Sequence, residues 1–286
     1  MKRFNLIIAT ILSVSCSEWR NDLVPYNHEE TASVEQEQGQ SKSPVLTADN
    51  QLYNMDFDFW SKNGNNDVCY GQDATAAQKK VWASANASTA IFGKLSCIPE
   101  SEFLAVTGEG KHAVKLQTHQ INALFTKKLA AGCMFTGQMG DINLSGLSAA
   151  LKWGLPFNLR PKALEGYACY KPVPINVARA PYENWAYRTD SAHVFVVLAD
   201  WDSQFTVDPA TDTFLDIDND PHIIGYGRVG YNSSMINYEK FTIDIEYKNN
   251  RTPKFVVIVA SSSALGDYFT GGEGSVLYLD EFRFLY

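Results

Sequence analysis

The residues of this 286-residue chain best suited to chemistry concentrate in a Gly- and Ser-rich stretch near the C-terminus. Ser261-Ser262-Ser263-Ala264-Leu265-Gly266-Asp267-Tyr268-Phe269-Thr270-Gly271-Gly272 follows a β-branched run and precedes Glu273 and a closing strand-like segment. A loop of this kind between two strands presents polar and aromatic side chains to a ligand, and Asp267 and Tyr268 are the expected contacts. Asp267 and Glu273 are also the best pair for glycoside hydrolysis, which needs two carboxyl groups about 5 to 10 Å apart across a cleft. Other hydrolytic chemistries find no support. The serine run lacks a G-x-S-x-G elbow, and His112, His119, His193 and His222 do not have zinc-protease spacing. Non-catalytic binding is the leading expectation, hydrolysis is the alternative, and a structural part in a surface assembly is the third.

Sugar recognition requires flat aromatic faces for the CH-rich side of a pyranose and fixed polar groups for its hydroxyls. Trp60, Trp82, Trp153, Trp185 and Trp201 supply the aromatics. Trp82 has Asn86 close by, Trp60 ends the first strand near the rim of the domain, and Trp185 lies in the polar loop 181–190. Against each stands the ordinary role of tryptophan in a sandwich, which is packing. Arg160, beside Pro161, is positioned for bidentate contact with carboxylates or paired hydroxyls. An ion pair stapling a strand end is its bland alternative.

The elements that must position these residues are strands. Phe241-Thr242-Ile243-Asp244-Ile245-Glu246-Tyr247 alternates apolar and polar, as a half-solvated strand does. His193 to Ala199 and Phe255 to Ala260 are continuous apolar runs, expected of central strands. Turn signals punctuate the chain at Pro172 and Pro174, Asp208-Pro209, Asn219-Asp220-Pro221, Asn249-Asn250 and Gly271-Gly272. Many short strands with regular turns predict an all-β, jelly-roll β-sandwich over residues 53–286. The acidic loop Asp216-Ile217-Asp218-Asn219-Asp220 opens like an EF-hand, but Pro221 and Gly227 stand where Gly and Glu are obligatory, so it reads as a turn.

At the other end, Lys2 and Arg3 precede an apolar run from Leu6 to Leu12 that is too short to span a bilayer, and Ser13-Val14-Ser15-Cys16 follows. Residues 1–15 read as a lipoprotein signal peptide, with Cys16 as the lipidated first residue of the mature chain. Ser13 departs from the usual Leu, which sits one place earlier as Leu12. Residues 16–52 hold seven acids against two bases and few large apolar residues, the composition of a flexible acidic tether. The domain after it has 25 acids and 20 bases, which argues against nucleic acid or an anionic membrane as ligand, so no nucleic acid partner is expected. Cys69 and Cys97 flank one irregular stretch and are the expected disulfide in an exported chain. Cys133 and Cys169 lie in strand-like runs and read as core residues.

Five blocks in colinear order between Asp56 and Tyr286 carry a family resemblance. They are Val81-Trp82-Ala83-Ser84-Ala85-Asn86; Ala113-Val114-Lys115-Leu116-Gln117-Thr118; Ala130-Ala131-Gly132-Cys133-Met134-Phe135-Thr136-Gly137; Gly154-Leu155-Pro156-Phe157-Asn158-Leu159-Arg160-Pro161; and 261–286. Together they resemble the putative carbohydrate metabolism domain, a jelly roll of exported lipoproteins in polysaccharide-degrading Gram-negative anaerobes. Ala83 and Cys133 depart from the pattern, where an acidic residue and Asn are usual. The resemblance implies an outer membrane lipoprotein, on the cell surface or the periplasmic face, that binds oligo- or polysaccharide beside outer-membrane glycan-uptake partners. No cofactor is implied beyond a structural calcium. For that ion, strand parity puts Val276, Tyr278, Asp280, Phe282 and Phe284 on one face, and a carboxylate within an apolar stripe needs a partner. The first and last strands of a jelly roll commonly meet, so Asp56 and Asp58 are expected to complete an oxygen site with Asp280. A β-bulge at Asp280-Glu281 is the alternative.

Overall fold

The two continuous apolar runs lie side by side. Strands Ala192–Ala199 and Phe255–Ser261 pair antiparallel at the centre of a nine-stranded sheet. In this computed structural model the residues described are 45–106, 110–123, 126–143 and 148–286. The order across the large sheet is Phe205–Val207, Ser148–Trp153, Cys133–Asn143, Phe255–Ser261, Ala192–Ala199, Ile223–Tyr231 and Glu246–Tyr247, with Trp82–Ser84 and Leu155–Pro156 added beside this path. A second sheet runs Glu239–Asp244, Ala163–Lys171, Val276–Leu285, Ala113–Gln117, Cys97–Glu100. All pairings are antiparallel, and the two sheets form a jelly-roll β-sandwich. No helix among the described residues is long and apolar enough to cross a membrane.

Parity explains why the central strands are apolar throughout. Val194, Val196 and Leu198, with Val256, Ile258 and Ala260, face inward to the core shared with the second sheet. Phe195, Val197 and Ala199, with Val257 and Val259, face outward into a second apolar cluster with Phe135, Trp153 and Trp201. A strand buried on both faces has no solvent side to mark with polar residues. The outer cluster forms the floor of the groove described below.

The closing strand corrects the expected parity. Leu277 and Leu279 point inward, and so do Phe282 and Phe284, while Val276 and Tyr278 are only partly buried. The face switches at a bulge. Tyr167 pairs with Asp280 and Glu165 with Arg283, so Gly166 alone stands against two residues of the closing strand. Glu281 takes φ 51°, the left-handed conformation. Gly166 is required opposite, because a Cβ there would come within 2.5 Å of the Phe282 ring.

The bulge also sets the surroundings of Asp280. Asp280 is buried, and its two oxygens accept from the Ala105 N–H at 2.9 Å and the Glu281 N–H at 3.0 Å. Asp58 accepts from the N–H groups of Lys111 and His112. Burial pushes the Asp280 carboxyl up to about 6, with Asp58 and Asp56 adding to the rise. The three carboxylates thus share one neighbourhood, with backbone amides as their partners. Among the described residues no group of three or more His, Cys, Asp or Glu is placed to hold a metal ion.

The boundary expected at 52/53 also moves. Val45 and Leu52 are buried in the core, Leu46 bridges Leu52, and the Gln51 side chain both donates to the Phe284 carbonyl (3.1 Å) and accepts from its N–H (2.6 Å). Residues 45–52 therefore belong to the sandwich, which they join along its closing strand. Cys16, the signal and residues 16–44 lie outside the described residues. All four cysteines from Cys69 onward are free thiols, so Cys69 and Cys97 form no disulfide. Cys69 Sγ instead accepts from the Asn54 amide at 3.1 Å, and both thiols are buried core members.

Candidate functional site

A groove of about 1040 Å³, part of it open to solvent, runs over the outer face of the large sheet. Phe135, Trp153, Phe195 and Val259 form its floor. Trp153 and Phe195 meet edge to face at 5.7 Å, and His193 packs on Phe195 at 5.3 Å. One wall is the hairpin His119–Ala123/Thr126–Ala130, which contributes Ile121, Lys128 and Leu129. The other is the loop after Phe255–Ser261, which contributes Ser263, Gly266, Asp267 and Phe269. Two further hollows adjoin it. One, of about 820 Å³, is edged by Lys127, Lys128, Arg179, Phe214 and Tyr268. The other, of about 610 Å³, lies between Trp153, His193, Tyr226 and Phe214. Asp267 lines all three.

A hidden carboxylate fixes the Asp267 loop in place. Asp190 is buried and accepts from Ser263 Oγ (2.6 Å), Gly272 N–H (2.7 Å), Ser275 Oγ (2.8 Å) and the Ser191 N–H (2.8 Å). Thr118 Oγ1 joins Ser262 and Ser263 at 2.8 and 2.7 Å, and the Tyr170 hydroxyl donates to the Ser262 carbonyl. The serine run is therefore internal hydrogen-bonding material for the loop. Gly266 is needed for close approach, since a Cβ there would lie 2.4 Å from the Ala131 Cβ.

Three polar groups have notable electrostatics. Asp267 is exposed as a residue, and desolvation of its carboxyl by the surrounding walls pushes it up to about 6. Burial, then Arg228, pushes His193 down to about 3, so it is neutral. Arg228 Nη2 donates to His193 Nδ1 at 2.8 Å, and a guanidinium cannot accept, so the imidazole proton sits on Nε2. The Trp153 indole N–H is buried with no hydrogen-bond partner. Leaving such a donor unpaired costs about 1–3 kcal/mol. An aromatic floor with a few convergent polar groups is the usual make-up of a small-molecule site.

The expected site residues divide into two groups. Asp267 and Tyr268 are at the groove, and Trp185 joins them through a chain of edge-on rings, Trp185–Tyr182 at 5.7 Å and Tyr182–Tyr268 at 5.0 Å. The rest are elsewhere. Trp82 is a core residue, packed edge-on to Phe57 at 5.4 Å with its N–H donated to the Tyr53 carbonyl. Asn86 is fully buried and spans two segments, donating to the Asp67 and Cys97 carbonyls and accepting from the N–H groups of Ser96 and Cys97. Trp60 packs against the core and donates to the Phe57 carbonyl at 2.7 Å. Arg160 lies 3.9 Å over the Tyr247 ring and donates to the carbonyls of Asn249 and Arg251, stapling a loop through carbonyls. Glu273 is exposed on the far side of its turn, its N–H bound to Asn176, and lines none of the three hollows. The Asp267–Glu273 pair is not brought together in the groove. Sequence reasoning names Trp153 among the candidate aromatics but does not reach His193, Phe195, Lys128 or Phe214 as contacts. The available signals were a polar His opening an apolar strand and a Lys127-Lys128 pair in an acidic chain.

Residues 56–285 match the family described as a putative carbohydrate metabolism domain. The chain belongs to that family. No curated protein matches it. Two solved structures share the fold. A Bacteroides thetaiotaomicron protein described as a putative glycoside hydrolase is 20% identical with a TM-score of 0.58, over 81% of this chain and 70% of its own. A Bacteroides vulgatus protein of the same description is 18% identical with a TM-score of 0.59, over 80% and 96%. At such identities the likeness establishes the architecture alone.

Proposed function

We propose that this protein binds carbohydrate in the groove over its large sheet without cleaving it, held at the outer membrane by a lipid on Cys16. The observation that carries the reading is the unpartnered Trp153 N–H at the floor of an aromatic groove. The donor is closed off from solvent in the unliganded groove, so a small side-chain shift on the floor would let a sugar hydroxyl satisfy it while the ring's CH face covers Phe195 and Phe135. His193 Nε2–H and the Asp267 carboxyl add a donor and an acceptor at the same surface. Membership of a carbohydrate metabolism family agrees with this chemistry. The lipid anchor rests on the Lys2 to Cys16 pattern, and the glycan-uptake partners rest on the family's setting.

Purified protein on a glycan array, read together with a reducing-end assay, tests the reading. Binding without product supports it, and an array with no bound glycan overturns it. A second reading, hydrolysis, is favoured by one observation. Asp267, held near 6, is suited to act as a general acid, and Asp212 lines an adjoining hollow with it. It requires reducing ends that accumulate with time and disappear in Asp267→Asn.

A further inference from the structure

One end of the groove has a charge opposite to that of the chain. The protein carries a net charge of −8, yet Lys127, Lys128 and Arg179 converge on one hollow with Phe214, Tyr268 and Phe269. The ion pairs among the described residues involve Lys62, His222, Lys240, Arg251 and Lys254, so none of these three cations is neutralised at contact distance. Asp212 and Asp267 line the same hollow and pair with none of them. Burial alone accounts for the raised Asp267 carboxyl, without an offset from any cation.

The cations are also held. Arg179 donates to the Lys127 carbonyl at 3.2 Å, while its own N–H is anchored on Thr270 Oγ1 at 2.9 Å. The Lys128 ammonium lies 4.0 Å over the Phe269 ring. Burial, and then the charge of Arg179, lower the Lys128 ammonium below the ordinary lysine value. Like charges crowded at a partly dry surface repel, and an anion among them converts the repulsion into attraction.

We propose that this hollow takes the carboxylate or sulfate of an acidic saccharide whose ring lies in the adjoining aromatic groove. The proposal rests on the carbohydrate reading above. The Arg179 guanidinium offers the planar fork that suits either group, Lys128 supplies a point charge, and Phe214 and Tyr268 cover the apolar face of the sugar.

The test uses the whole mature protein on an array of neutral, uronic-acid-containing and sulfated oligosaccharides. The strongest binders are expected to carry an acidic group, and which group they carry separates carboxylate from sulfate. Carboxyl-reduced or desulfated forms of the best binder should bind about tenfold more weakly. Its affinity should drop as salt rises from about 50 to about 500 mM. Arg179→Gln, at the surface, and Lys128→Gln, half-buried with its ammonium over Phe269, should each lower it about fivefold, with the melting temperature of Arg179→Gln unchanged. Neutral best binders whose affinity is indifferent to Arg179→Gln would overturn the proposal and leave the carbohydrate reading intact. No binding to any member of the array would overturn both.

Discussion

Trp153 and Trp82 show how two residues of one type divide between the candidate groove and the core. Both are nearly inaccessible, at 4% and 5% exposure, so burial does not separate them. Hydrogen bonding does. The Trp82 N–H is used by the Tyr53 carbonyl, whereas the Trp153 N–H is unused. Trp153→Phe keeps most of the packing and removes only the orphan donor. Glycan affinity should fall up to about tenfold while the urea midpoint changes little. An unchanged affinity would remove Trp153 from the site. Trp82→Ala should instead cost about 3–5 kcal/mol of stability, because it opens a cavity against Phe57. A loss below about 1 kcal/mol in denaturant unfolding would argue against that core role.

At the scale of elements, two carboxylates set the backbone. Asp190 draws the two ends of the 261–275 segment together, so Asp190→Ala leaves two hydroxyls and two N–H groups without their acceptor. The expected result is a loss of about 3 kcal/mol or more, with amide exchange accelerated first in residues 261–275. Uniform acceleration across both sheets would contradict a local staple. Asp280 holds the bulge and carries a pH signature. Its folded carboxyl is at about 6 against 3.8 for the ordinary group. Between those values the folded chain holds a proton that the unfolded chain has lost, so stability falls as pH rises from about 4 to about 6. The slope is at most about 1.4 kcal/mol per pH unit from this group. Denaturant titrations across that window should show a shallower decline in Asp280→Asn. Parallel curves for the two proteins would place the proton elsewhere.

For the whole molecule, the prediction concerns attachment. Cys16→Ala should abolish lipid labelling and move the protein from the membrane fraction to the soluble one. Retention in the membrane fraction without label would point to a partner as the anchor. The sandwich itself, from Val45 onward, is expected to melt alike in both proteins, because its core closes on residues 45–58 and the closing strand.

What the sequence determined is local and periodic. Alternation in Phe241–Tyr247, the doubly apolar runs of the central strands, the turn residues between them and the colinear family blocks are legible because strand parity and turn chemistry act between near neighbours. The Gly/Ser loop announced Asp267 and Tyr268 for the same reason. What only the tertiary structure decided involves residues far apart in the chain. Asn86 looked like a sugar contact until Ser96 and Cys97 closed on its amide, and Arg160 until the 249–251 carbonyls did. A single left-handed residue, Glu281, moved Phe282 and Phe284 to the other face and gave Asp280 to backbone amides. The groove brings Lys128, Trp153, His193 and Asp267 together from four separate segments. Periodicity assigns each of them a face but not a neighbour, because strand order and loop closure are set by the packing of the whole sandwich.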